Sequence, residues 1–253
     1  MKKIRAAPAL LFLALAAAAA LPAAAAPPAG DSRDANLTPE QIAKREAIRA
    51  RTLEDFDKSG VVAGQPVPDL DVMTLDGAPA RLSKLWQEKP TLLVTASLTC
   101  GRSRERQPWV EEIAKKYKDR LNVAVLYTLE AHPVIDPSPY AEYSPEYENP
   151  ARPGERAGGN EKEGLGRRQP TDLDTRAKLA EEFKDLLRVE VPIVLDQMSN
   201  EAWEALGGGP NMGLLIRRDG TLEVKHGWFD GETMDRSIEA YLAQLEGKGT
   251  GGR

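Results

Sequence analysis

Cys100 is the one cysteine among 253 residues, so it can form no internal disulfide and is either a small buried hydrophobe or a reactive thiol. Its surroundings favour the thiol. The apolar run Thr91 to Ser97 leads into Leu98-Thr99-Cys100-Gly101, and Val110, Ile113, Ala114 and Tyr117 then recur at helical spacing. Cys100 therefore falls at a strand-to-helix turn, where the first helical amides favour an anion. Such a position lowers a thiol pKa from about 8.5 towards the thiolate that attacks electrophiles. Thr99 and Ser103 add hydroxyls there, and Arg102, Arg104 and Arg106 add positive charge. Three residues past Cys100, where a second cysteine would close a redox disulfide, stands Ser103. An oxidised Cys100 must therefore be reduced by an external thiol or a partner protein.

A second group ends the next apolar run: Tyr127-Thr128-Leu129-Glu130-Ala131-His132-Pro133. In a neighbouring parallel strand this end reaches the same sheet edge as Cys100, the edge at which open α/β sheets place ligands. Glu130 and His132 share parity and face one side if the chain stays extended. A carboxylate beside an imidazole holds its tautomer and raises its pKa, which makes His132 a proton donor. The other histidine, His226, has no motif around it and reads as a packing or surface residue. Asp55-Phe56-Asp57-Lys58-Ser59-Gly60 opens like a calcium loop, but Pro66 stands where the bidentate carboxylate belongs. One cysteine and two scattered histidines do not make a metal site, so none is expected.

The elements that position these residues follow from the pattern. The run from Thr91 to Ser97, a helix after Cys100 and a run from Leu121 to Leu129 form one right-handed β-α-β unit. Leu173 to Leu187 is predicted helical, burying Leu179, Ala180, Phe183, Leu186 and Leu187. Val191 to Leu195 reads as a strand and Asn200 to Leu206 as a short helix. Gly213 to Arg218 and Thr221 to His226 flank Asp219-Gly220 as a hairpin. A helix from Met234 to Leu245 closes the domain. Ahead of the unit, Val67 to Met73 reads as a strand before the turn at Asp76-Gly77. The segment 133–171, rich in Pro, Gly, Glu and Arg, has no apolar period and is expected to be mobile or draped over the surface. This order specifies an α/β, thioredoxin-like fold of the peroxiredoxin type, with a central mixed sheet flanked by helices, an N-terminal helix and a long insertion.

Residues 1–26 combine Lys2, Lys3 and Arg5 with an Ala/Leu stretch and read as a signal peptide, too short in its apolar part for the roughly 20 residues of a spanning helix. A linker covers 27–37, a helix opening on Thr38-Pro39-Glu40-Gln41 covers 38–60, the main domain 61–246 and a Gly-rich tail 247–253. The protein is expected to be exported, to the periplasm or beyond, with no membrane attachment after cleavage. A net charge of −5 without basic runs interleaved with aromatics argues against nucleic acid.

Thr99-Cys100 after an apolar strand, followed by Tyr127-Thr128-Leu129-Glu130-Ala131-His132, resembles the iodothyronine deiodinase family from about Val67 to Leu245. The resemblance implies that Cys100 takes the place of a catalytic selenocysteine, with Thr99 and Ser97 as its hydroxyl neighbours. It also implies that Tyr127, Glu130 and His132 position substrate and relay protons. Strand parity would put Tyr127 opposite Glu130, so this role requires the strand to end or bulge near Thr128. A further family histidine has no counterpart around Pro170. The implied activity is reductive dehalogenation of an aromatic halide, with Ser97, Ser103 and Arg102 near the substrate and an external thiol or thioredoxin-like protein as reductant in place of a bound cofactor.

Two other readings stay open. The first is a thiol peroxidase; Ala96 to Gly101 also resembles glutathione peroxidases, without the glutamine and Trp-Asn partners of that site. The second is a non-catalytic redox-sensing or binding module in which Tyr140, Tyr143 and Tyr147 of the insertion hold a partner. A homodimer is compatible with each.

Overall fold

The computed structural model describes residues 56–140 and 155–249. The expected signal peptide and linker, nearly all of the helix over 38–60, and Tyr143 and Tyr147 lie outside these residues. Seven strands form one sheet: β1 (Asp71–Thr74), β2 (Pro79–Arg81), β3 (Thr91–Ala96), β4 (Asn122–Tyr127), β5 (Ile193–Asp196), β6 (Gly213–Ile216) and β7 (Leu222–His226), in the order β2-β1-β5-β4-β3-β6-β7. β3, β4 and β5 run parallel; β6 is antiparallel to β3, and β1 to β5. Helices α1 (Gly101–Tyr117), α2 (Glu155–Lys162), α3 (Leu173–Leu187), α4 (Glu201–Leu206) and α5 (Gly231–Gly249) complete it. A β3-α1-β4 unit in mid-sheet, an antiparallel hairpin beside it and a closing helix make this a thioredoxin-like fold with an added strand and helix.

Alternation along the strands builds two cores. Leu92, Val94, Val123, Val125, Ile193 and Leu215 face α1, α3 and α5, whereas Leu93, Ala124, Leu126, Val194, Leu214 and Ile216 face α4 and the N-terminal strands. Every residue of β3 is buried, which explains its lack of period: the strand is covered on both faces. Each fully buried Leu or Ile contributes on the order of 1.5–3 kcal/mol by leaving water.

Several boundaries differ from expectation. β1 begins at Asp71 rather than Val67. Leu186 is half exposed, and the buried face of α3 instead carries Arg176. The closing helix extends to Gly249, so the expected tail begins inside it. The insertion is not merely draped over the surface: it contributes α2, and Tyr140 and Asn160 from it are buried.

The N-terminal segment is held across β7. Asp57 accepts a hydrogen bond from the Gly227 amide, Lys225 Nζ donates to the carbonyls of Ser59 and Val61, and the Val61 amide donates to Ala205. Gly60 lies at φ +62, where a Cβ would meet the Ala205 carbonyl oxygen at 2.5 Å, so this close approach requires glycine.

Candidate active site around Cys100

Parallel pairing of β3 with β4 places Ala96 opposite Tyr127, so both strands deliver their following turns to one edge. Cys100 caps α1 at φ −82, ψ 107, and its carbonyl accepts the Arg104 amide at 3.2 Å. The cap position faces the positive end of the helix dipole.

β4 stops at Tyr127, and the chain then turns. As a result Tyr127 Oη donates to Glu130 Oε1 at 2.5 Å while accepting the Leu98 amide at 2.9 Å. Glu130 Oε2 accepts from the Thr99 amide at 2.8 Å and from the Thr99 hydroxyl at 2.6 Å. The same hydroxyl accepts the His132 amide at 3.0 Å, and Ser97 Oγ accepts the Ala131 amide at 3.2 Å. The turn before Cys100 and the turn after β4 are thus laced together through Ser97, Thr99, Tyr127, Glu130 and the backbone of His132. The strand end that a substrate-positioning role for Tyr127 demanded is present.

Glu130 is fully buried, and burial raises its pKa against the opposing pull of the Thr99 and Tyr127 hydrogen bonds. Burial, with the Glu130 charge adding to it, raises Tyr127 well above the ordinary phenol value. Three donors converge on the Glu130 carboxylate. It makes no hydrogen bond to the His132 side chain, contrary to the carboxylate–imidazole pair expected from parity, because the turn after Tyr127 aims it at Thr99 instead. His132 is 5% exposed and is tied into the network through its main chain.

Cys100 is 1% exposed, in a cluster with Phe56, Ala131 and Tyr140 against which Trp203 and Trp228 pack. The rings of Phe56 and Tyr140 meet edge to face with centroids 5.8 Å apart, and Phe56 meets Trp228 at 5.9 Å. Tyr140 Oη donates to the Gly208 carbonyl at 3.0 Å and accepts from Trp203 Nε1 at 3.1 Å. Trp203 is itself set by Asp196, whose carboxylate accepts the Ala202 and Trp203 amides.

Of the remaining expected residues, Ser103 is buried, with its hydroxyl 3.4 Å from the Pro210 carbonyl. Arg102 lies over the Trp228 ring at 5.9 Å. Arg106 pairs with Asp230, and Arg104 is drawn to Asn160, Glu163 and the Leu98 carbonyl. His226, on β7, has its pKa lowered by burial. Met212, at the position ahead of β6 where thioredoxins carry proline, donates its amide to Thr95 Oγ1 at 2.7 Å.

Sequence reasoning missed the contribution of the insertion. Asn160 Nδ2 donates to the Thr99 carbonyl at 2.9 Å. Gln169 makes a two-way pair with the Glu130 backbone, its Oε1 accepting the amide at 2.9 Å and its Nε2 donating to the carbonyl at 2.7 Å. It also missed Arg176, buried beneath the site and donating to the carbonyls of Asp196 and Gln197 and to Asn200 Oδ1. Amide side chains reaching backbone far away in sequence leave no periodic signal. No three of the described His, Cys, Asp and Glu residues converge as metal ligands would.

No protein-family model matches the chain. Over 86 residues it is 34% identical to the thiol-disulfide oxidoreductase YkuV of Bacillus subtilis, a stretch amounting to 33% of this chain and 57% of that protein. The chain therefore spans a little over half the length of that relative. Among solved structures, 72% of the chain overlays 99% of a putative thiol:disulfide interchange protein DsbE from Chlorobium tepidum, with a TM-score of 0.48 and 18% identity. A secreted Mycobacterium tuberculosis disulfide oxidoreductase homologous to E. coli DsbE overlays at a TM-score of 0.44 and 13% identity, covering 68% of this chain and 96% of that one.

Proposed function

We propose that this chain is a single-thiol oxidoreductase in which Cys100 is the nucleophile, and that its reaction is reductive dehalogenation of an aromatic halide. The observation that carries the proposal is the network joining Thr99, Tyr127, Glu130 and His132 beside Cys100. These are the residues that the deiodinase resemblance singles out. In this reading the Cys100 thiolate attacks the halogen, so a sulfur–halogen bond forms as the carbon–halogen bond breaks. The electron pair stays on the ring carbon, and His132 supplies the proton that completes the arene. A first external thiol displaces halide from sulfur to give a mixed disulfide; a second releases Cys100 and leaves as the oxidised disulfide. Ser103 in place of a resolving cysteine is why both thiols come from outside.

Thiol-disulfide exchange is the second reading, favoured by the similarity to YkuV. Here Cys100 attacks a disulfide and the mixed disulfide is resolved by a thiol from a small molecule or a thioredoxin-like partner. Export through the N-terminal Ala/Leu segment belongs to the same proposal, and N-terminal sequencing of the protein recovered from a secreting host tests it.

Purified parent and Cys100→Ser proteins, supplied with dithiothreitol, are assayed for iodide release from an iodinated phenol, for disulfide reduction and for peroxide consumption. Cys100-dependent iodide release supports dehalogenation. Disulfide reduction or peroxide turnover without iodide release overturns it in favour of the corresponding thiol chemistry.

A further inference from the structure

Thr99, the residue before the proposed nucleophile, has every polar atom engaged by residues remote in sequence. Its amide and hydroxyl donate to Glu130, its hydroxyl accepts from the His132 amide, and its carbonyl accepts from Asn160. Two of the anchors trace to the insertion. Asn160 is on α2, is 4% exposed, and its Oδ1 is held by Arg104 at 3.0 Å. Gln169, near the C-terminal end of the insertion, fixes both backbone polar groups of Glu130.

We infer that Asn160 and Gln169 are positioning residues, through which the insertion sets the orientation of the Thr99-Cys100 peptide and hence the ionisation of Cys100. The inference rests on Cys100 being the working thiol, and it adds a role for the insertion. Without Asn160 the Thr99 carbonyl loses its buried donor, and the Thr99-Cys100 peptide keeps only the hydrogen bond from the Cys100 amide to the Ser97 carbonyl at 3.3 Å. Without Gln169 the Glu130 main chain loses both hydrogen bonds, and the carboxylate that holds the other side of Thr99 moves with it. The two amides thus act on the peptides before and after the Thr99 Cα, Asn160 directly on the Thr99 carbonyl and Gln169 through Glu130 on the Thr99 amide, and a buried polar group tolerates such a loss poorly. The charged and titratable groups around those peptides are Glu130 and His132 after β4, Arg102 and Arg104 on α1, and Glu163 in the turn that follows α2, which pairs with Arg104.

The test follows the Cys100 thiolate by its ultraviolet absorbance against pH, with the Cys100→Ser protein as blank, in Asn160→Leu, Asn160→Asp and Gln169→Leu, each with a thermal melt to establish folding. Asn160→Leu and Gln169→Leu are expected to move the midpoint upward. Asn160→Asp is expected to move it furthest, because a carboxylate is added beside a developing anion; a shift of one unit is about tenfold less thiolate at neutral pH. Combining Asn160→Leu with Gln169→Leu should give a shift different from the sum of the two, since both act on Thr99. Midpoints equal to that of the parent in all folded variants overturn the inference. Because the absorbance requires no substrate, that failure is distinct from a failure of the dehalogenase reading, which is judged by iodide release alone.

Discussion

Tyr127 and Glu130 meet hydroxyl to carboxylate at 2.5 Å, although residues three apart on a continuous strand point to opposite faces. The contact exists because β4 ends at Tyr127 and the chain turns at once. Tyr127 Oη also accepts the Leu98 amide, so a single phenol joins the turn before Cys100 to the carboxylate that steadies Thr99.

Removing that phenol oxygen leaves the Leu98 amide buried and without its acceptor and takes one of three donors from Glu130. Tyr127→Phe is therefore expected to cost about 1–3 kcal/mol, read as a melting temperature lower by about 2–10 °C. Activity through Cys100 should fall by more than stability alone explains, because Thr99 is no longer held square to the site. A Tyr127→Phe melt coincident with that of the parent would remove the phenol from the structural account.

Glu130 has its pKa raised by burial above the ordinary carboxylate value of 4.5. The folded chain thus holds a proton that the unfolded chain has already released as pH rises past 4.5. The stability contributed by this group is complete below that pH and is lost as pH rises through the folded value. Glu130→Gln has no such slope. Glutamine presents one acceptor to Thr99 and an amino group to Tyr127, so the variant is expected to be less stable in acid, with the parent's advantage shrinking as pH rises. Paired melts across the acid range measure it, and an advantage independent of pH contradicts the buried-carboxylate reading.

The fold and half the site were legible in the sequence for a definite reason. Burial on both faces writes an uninterrupted apolar run into β3 and β4, and the position of Cys100 follows from the strand-to-helix change of period. Glu130 and His132 were found by their place at the same sheet edge, and Tyr127 by resemblance, but parity misjudged the Glu130 partner because it assumes that a strand continues. Leu186 fits the helical period of α3 yet lies half exposed, while Arg176 takes a place in the buried face by donating to Asp196, Gln197 and Asn200. Asn160 and Gln169 had no signature, since a segment without apolar period can still fold by hydrogen bonds to backbone, and Tyr140 was singled out as a partner contact rather than for its place beside Cys100.

Tyr140 packs in the cluster around Cys100, and its hydroxyl makes hydrogen bonds to the Gly208 carbonyl and from Trp203. Each is worth about 0.5–1.5 kcal/mol net, and 1.4 kcal/mol is a factor of about ten in an opening equilibrium. Tyr140→Phe, which keeps the ring and loses both bonds, is expected to speed alkylation of Cys100 by iodoacetamide about tenfold. Mass spectrometry of quenched samples gives the rate. A rate equal to that of the parent would mean that this ring does not limit access to the thiol.

Lys225 ties the segment that carries Phe56 over Cys100, through the carbonyls of Ser59 and Val61, and burial pushes its ammonium from 10.5 down to about 8. Asp57 is the charge that opposes this shift. Between these two values the folded chain has released a proton that the unfolded chain still binds, so this group adds stability as pH rises across the window, reaching its full effect near 10.5. Lys225→Met removes the titration along with the two hydrogen bonds. The difference in melting temperature between parent and variant should therefore grow steadily from pH 8 to 10.5. Tyrosine ionisation acts on both proteins alike and cancels in that difference. A difference that stays flat would show that the amine keeps its ordinary ionisation in the fold, and that the segment bearing Phe56 is held by the Asp57 and Gly60 contacts without a titrating lysine.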